Sequence, residues 1–113
     1  MKILICVIWL MTVTGMEEYC RSVSDSLVVV FWNLENFFDH VDQGTGESDK
    51  EFSSYGSRHW SRKKFQTKCD AVAKSIMWMG DRYGRLPDLI GLAEIENRGV
   101  LTKLLRTTVL RKH

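Results

Sequence analysis

Leu27-Val28-Val29-Val30-Phe31-Trp32-Asn33-Leu34-Glu35-Asn36 is the stretch on which the fold turns. Its first six residues are apolar without a break, and all but Leu27 are β-branched or aromatic. A strand with one wet face alternates polar and apolar side chains, so an unbroken run predicts a strand covered on both faces. Asn33 closes the run. Further along, Asp88-Leu89-Ile90-Gly91-Leu92-Ala93-Glu94 is a second buried-strand candidate, and Glu94 closes it.

Between these two segments Ser61 opens a helical pattern. Phe65, Cys69, Val72, Ile76 and Met79 recur at spacings of four and three, with Lys63, Lys64, Lys68 and Asp70 on other faces. That is the period of a helix burying one side. Gly80 is its expected terminator, Asp81 to Pro87 its connection, and Val100 to Leu105 the start of another short helix. Phe37 to His59 is polar, holds Gly44, Gly46 and Gly56, and has no sustained period. An irregular connection longer than about 12 to 15 residues is uncommon in a compact domain and is usually functional or disordered.

Two strands flanking a helix, if parallel in one sheet, are joined by a right-handed crossover and end on the same edge. If they are also neighbours, about 4.8 Å apart, Asn33 and Glu94 can meet there. One carboxylate and one amide make a modest, hard-oxygen site. Such a site suits Mg2+, which keeps several waters and completes its shell with substrate phosphate oxygens. Zinc is a poor match, because His40, His59 and His113 have no tetrahedral ligand spacing among them.

At the amino terminus Lys2 precedes an apolar run, Ile3 to Val13, broken only by Thr12. A membrane-spanning helix needs roughly 20 residues, so the run is too short for a stable span. It predicts a secretory signal peptide over 1–15, cleaved after Gly15, then a linker over 16–26 and a domain over 27–113, with a secreted or periplasmic destination. An uncleaved anchor and a buried first strand are the alternatives. A net charge of +2 over 113 residues is too small to argue for a nucleic-acid or membrane partner by charge alone. Outside the signal only Cys20 and Cys69 remain. No spacing rule pairs them, and Cys69 on an apolar helix face is expected to be a buried free thiol.

Each candidate also has a plain structural reading. Glu94 could be a solvent-facing acid, Asn33 a turn residue after a strand, and Glu96 the cap of the following helix. Glu35 and Asn36 belong equally to a substrate side or to a loop. His59 is expected at the surface or in a structural hydrogen bond, and Asp39, Asp42, Glu47, Asp49 and Glu51 in a solvated loop, since they do not follow the alternating calcium-loop pattern. Trp32, Trp60 and Trp78 are expected to pack rather than to stack bases, for want of a basic groove.

Phe31-Trp32-Asn33-Leu34-Glu35-Asn36-Phe37-Phe38-Asp39, then Arg58-His59-Trp60, then Pro87 to Asn97 through Ala93-Glu94-Ile95-Glu96, resembles the endonuclease/exonuclease/phosphatase superfamily, deoxyribonuclease-I-like enzymes included. In that family the W-N strand end supplies an active-site Asn and the second strand end a metal-binding Glu. The resemblance thus implies Asn33 as catalytic residue and Glu94 with Asn33 at the metal, and Ala93 stands where the family more often has Gln. It further implies an α+β fold, about the first third of a four-layer α/β/β/α sandwich. The implied activity is that of a nuclease or phosphatase, using Mg2+, with Mn2+ the alternative, to hydrolyse a phosphodiester or phosphomonoester. The family's later motifs are an Asp and Asn pair around the phosphate, a His on the phosphoryl group and a near-terminal Asp-His pair. They have no counterpart up to His113. Water activation needs a positioned base, worth typically ~10²- to 10⁴-fold, so the isolated chain is expected to be inactive and, with a sheet face bare, unstable. The competing expectation is a short secreted binding protein that has lost catalysis.

Overall fold

The computed structural model describes residues 4–8 and 26–113. Strand β1 (Leu4–Ile8), strand β2 (Leu27–Phe37), a short helix α1 (Glu47–Glu51), a long helix α2 (Arg62–Tyr83), strand β3 (Leu89–Ile95) and helix α3 (Arg98–Thr107) follow in order, and a 3-10 turn, Val109–Lys112, comes last. The sheet order is β1-β2-β3. β1 runs antiparallel to β2, with Leu4 opposite Phe31 and Ile8 opposite Leu27. Most of the stretch expected to be signal peptide and linker lies outside the described residues. Among the described residues, no helix is long and apolar enough to cross a membrane.

β2 and β3 are parallel neighbours, Val29 opposite Leu89 and Asn33 opposite Ala93. Their starts are tied together. Val28 N–H donates to the Asp88 carboxylate, and Asp88 N–H donates to the Val28 carbonyl, each at 2.9 Å. α2 begins at Ser61, whose hydroxyl accepts from Lys64 N–H at 3.3 Å. The helix runs through the expected stop at Gly80 and ends instead at Gly84, which takes the left-handed conformation at φ 75°. Gly80 is there for space: a Cβ on it would lie 2.8 Å from Leu86 Cδ2. Asn97, not Glu96, caps α3, its side chain accepting from Val100 N–H at 3.1 Å.

One face of the sheet carries the core. Val30, Trp32, Leu34 and Phe37 of β2 cluster with Phe65, Cys69, Val72, Ile76 and Met79 of α2 and with Val100 and Leu104 of α3. The expected cover on both faces is not found among the described residues. Phe31 is 56% exposed and Leu89 59%, so β2 and β3 are apolar on two faces but helices shield only one. The bare face is not featureless, since the Phe31 ring lies against Gly91, 3.0 Å from where a Cβ would stand.

The long polar connection is built rather than loose. Phe38 and Phe52 stack at 5.1 Å, Trp60 meets Phe52 edge-on at 6.2 Å, and Trp60 Nε1–H donates to the Phe38 carbonyl at 2.8 Å. Asp49, expected in solvent, is buried and accepts from the N–H groups of Gln43 and Thr45 and from the Thr45 hydroxyl. These donors, the Thr45 N–H foremost, hold its carboxyl below the usual carboxylate range.

Candidate active-site edge

Regular pairing would keep Asn33 and Glu94 apart. Asn33 stands opposite Ala93, so Glu94 is one residue out of step, and side chains one step apart on a strand point to opposite faces. Irregular backbone brings them together. From Asn33 to Phe37 β2 advances four residues, whereas β3 advances two, from Ala93 to Ile95. The surplus residues Glu35 and Asn36 are left-handed at φ 53° and 56°, and Glu94 is left-handed at φ 58°. A non-glycine residue in that region costs of order 1 to 3 kcal/mol and persists only where its surroundings hold it. A bulge of this kind re-aims side chains at the end of a strand.

The hydrogen bonds that hold it converge on Glu94. Asn33 Nδ2–H donates to Glu94 Oε1 at 2.7 Å, and Asn36 N–H donates to Oε2 at 3.0 Å. Asn33 Oδ1 in turn accepts from Glu35 N–H at 2.8 Å. The carboxyl is thereby held below its usual range, first by the Asn33 amide, then by the Asn36 N–H, with the Lys68 charge assisting. The sequence-based reading expects an amide oxygen and a carboxylate to be offered jointly to an ion; here the two side chains are hydrogen-bonded to each other. The amide turns its nitrogen to Glu94 and its oxygen to the bulge, so Asn33 orients the carboxylate.

Sequence reasoning missed two further parts. Lys68 of α2 reaches under the bulge: its Nζ donates to the carbonyls of Glu35 at 2.7 Å and Asn36 at 3.5 Å, and lies 5.3 Å over the Phe37 ring. Burial pushes its pKa down, while the charges of Glu35 and Glu94 oppose that. Asp39, 5% exposed, pairs with Lys103 at 2.8 Å, and its N–H donates to Glu96 Oε2 at 2.9 Å. Burial is the main cause that pushes the Glu96 carboxyl up. Both lysines fall on helix positions that periodicity assigns to solvent, and the sole hint was a long cationic side chain beside an apolar stripe.

Asn36, Thr45, Ser48, Asp49, Glu94 and Glu96 line an open cleft of about 460 Å3 at this edge. Among the described residues, no Lys or Arg lines it. His59 is exposed and left-handed, at φ 46°. Of Trp32, Trp60 and Trp78, the first is buried as expected, the second is half-buried, and Trp78 is 59% exposed, against the expectation of packing. Cys69 is a buried free thiol, and burial pushes it up to about 11. Cys20 lies outside the described residues.

Among the described residues, no group of three or more His, Cys, Asp or Glu side chains is placed to hold a metal ion. Mg2+ does not require one, because one or two carboxylates plus waters and phosphate oxygens complete its shell. Each Glu94 oxygen accepts one N–H, and a carboxylate has about four acceptor positions, so room for a hard cation remains on its exposed side. The donor set fits.

An open cleft outside the carboxyl ends of parallel strands is where α/β folds bind their ligands, and here it is rimmed by a pre-oriented carboxylate. The chain belongs to the endonuclease/exonuclease/phosphatase family, whose family model matches residues 28–113, well over half of its length. Domains of this family are phosphoesterase-like hydrolases and generally use divalent metals. Comparisons with curated proteins and with solved structures found no match.

Proposed function

We propose that this chain carries the metal-binding edge of an exported, Mg2+-dependent phosphoesterase, with Glu94 as the ion's protein ligand and Asn33 as the active-site amide that aims it. The observation that carries the reading is the double clasp on Glu94, by Asn33 Nδ2–H and Asn36 N–H, at the shared end of two parallel strands. Mn2+ is the alternative ion, and the substrate is a phosphodiester or phosphomonoester. A cleft lined by Glu94, Glu96 and Asp49, without a cationic side chain, repels a bare phosphoester. A divalent ion there would neutralise that field and polarise a phosphoryl oxygen.

The chain's own residues do the rest of the positioning. Asn33 and Asn36 keep both carboxylate oxygens charged and directed, and the left-handed backbone at Glu94 turns them out of the sheet toward the cleft. Export rests on Lys2 and the apolar run behind it.

Titration of the purified chain with Mn2+, followed by electron paramagnetic resonance, tests the reading. Wild type should bind one ion. Loss of an outer-shell partner typically weakens a metal site by roughly 10- to 100-fold, so Glu94→Gln, which removes the ligand's charge, should weaken it at least about 100-fold. Equal binding by wild type and Glu94→Gln refutes the assignment. A matched substrate assay should show no Mg2+-dependent hydrolysis of a generic phosphodiester by the chain alone, because water activation needs a positioned base and no histidine lines the cleft among the described residues.

A further inference from the structure

Lys68 is not explained by packing alone. A surface lysine on a helix normally extends its ammonium into water, because the charge is strongly hydrated. This one is half-buried between the Phe37 ring at 5.3 Å and the Trp60 ring at 5.8 Å, and it donates to two consecutive backbone carbonyls, those of Glu35 and Asn36. These are the two surplus residues of the β2 bulge, both left-handed. No negatively charged side chain takes its Nζ as an ion-pair partner among the described residues.

The peptide unit between Glu35 and Asn36 joins both ends of the device. Its carbonyl, on Glu35, accepts from Lys68, and its N–H, on Asn36, donates to Glu94 Oε2. A trans peptide is planar, and its C=O and N–H point in opposite directions. Fixing the carbonyl on one side therefore fixes the direction of the N–H on the other. Rotation of that one peptide would break the shorter Lys68 bond and the Glu94 bond together, and would leave Asn33 as the sole clasp on the carboxylate.

We propose that Lys68 is a positioning residue for the Glu94 metal site, locking the Glu35–Asn36 peptide so that its N–H aims the carboxylate into the cleft. The proposal deepens the metal-site reading above and rests on it. It differs in sign from a field effect. Lys68 is a cation near the site, so electrostatics alone would make its removal strengthen cation binding. A positioning role makes its removal weaken cation binding.

The test is Mn2+ titration of the full chain as wild type, Lys68→Met, Lys68→Arg and Glu94→Gln, with folding of each checked by near-ultraviolet circular dichroism. Met keeps an unbranched stem for the two rings and deletes the donor. Lys68→Met should bind Mn2+ about tenfold more weakly, in the range typical of outer-shell losses, and Lys68→Arg should recover most of the affinity. Unchanged or tighter binding by Lys68→Met, while Glu94→Gln has lost it, overturns the role of Lys68 and leaves the metal site standing. Wild type failing to bind, or Glu94→Gln binding as wild type does, brings down the site reading and the positioning role with it. Should Lys68→Met not fold, Lys68→Gln takes its place with the same expected weakening and the same overturning result.

Discussion

Phe37→Ala should cost about 3 to 5 kcal/mol of stability, read as a lowered urea midpoint at unchanged slope. Phe37 is fully buried, and its ring packs tilted against Phe65 at 5.7 Å with Lys68 Nζ above it. Backbone compounds the loss. Phe37 is where β2 re-enters register after the bulge, opposite Ile95, and its carbonyl accepts from Glu96 N–H at 3.1 Å. Truncation removes the ring that anchors the far end of the two left-handed residues Glu35 and Asn36, so the cavity cannot close without shifting them. Mn2+ affinity should fall in the same variant, whereas a core truncation remote from the edge, such as Met79→Ala, should lower stability and leave the ion bound. A loss under about 1.5 kcal/mol for Phe37→Ala, the size of a tolerated swap, counts against the anchoring role.

Lys103→Met should cost about 2 to 3 kcal/mol. Removing one member of a buried pair typically costs 3 to 5 kcal/mol, because it strands a charge. The Lys103 side chain is 41% exposed, which screens the pair and reduces that figure. Asp39 stays behind at 5% exposure with two remaining side-chain acceptor bonds, from Val41 N–H at 2.8 Å and the Gln43 amide at 3.4 Å. Adding Asp39→Asn to Lys103→Met should restore most of the stability, since the amide oxygen can still accept from Val41 and no charge remains to be solvated. A double-mutant cycle by thermal melting checks this, and additive losses would contradict it.

The apolar runs and the helix stripe made the strand-helix-strand-helix order legible, because burial of one helix side and of strand centres is a matter of spacing. Parallel, neighbouring strands stood only as the condition for Asn33 and Glu94 to meet; the pairing is parallel, and the two residues do lie at one edge. Apolarity on both faces of β2 was visible too, but a sequence shows which side chains avoid water and not what covers them, so Phe31 and Leu89 came out bare. Helix ends were misjudged where a glycine served packing, as Gly80 does for Leu86, while Gly84 did the capping. The bulge was out of reach. Of the three left-handed residues only Asn36 is a type that favours positive φ; at Glu35 and Glu94 nothing advertises it, and the conformation is held by long-range partners, Asn33 across the strands and Lys68 from the helix. The same holds for Asp39 and Asp49, whose burial depends on backbone N–H groups brought round by the chain.

Left-handed backbone at Glu35, Asn36 and Glu94 has a consequence for anyone improving this protein by selection. Glycine at any of the three would relieve local strain, so a library ranked by melting temperature alone would favour it at those sites. Glycine at Glu35 or Asn36 would slacken the clasp around the carboxylate, and glycine at Glu94 would remove the carboxylate itself. Ruggedness and ion capture are therefore expected to pull in opposite directions at these three codons, which belong among the fixed positions of any thermostability campaign.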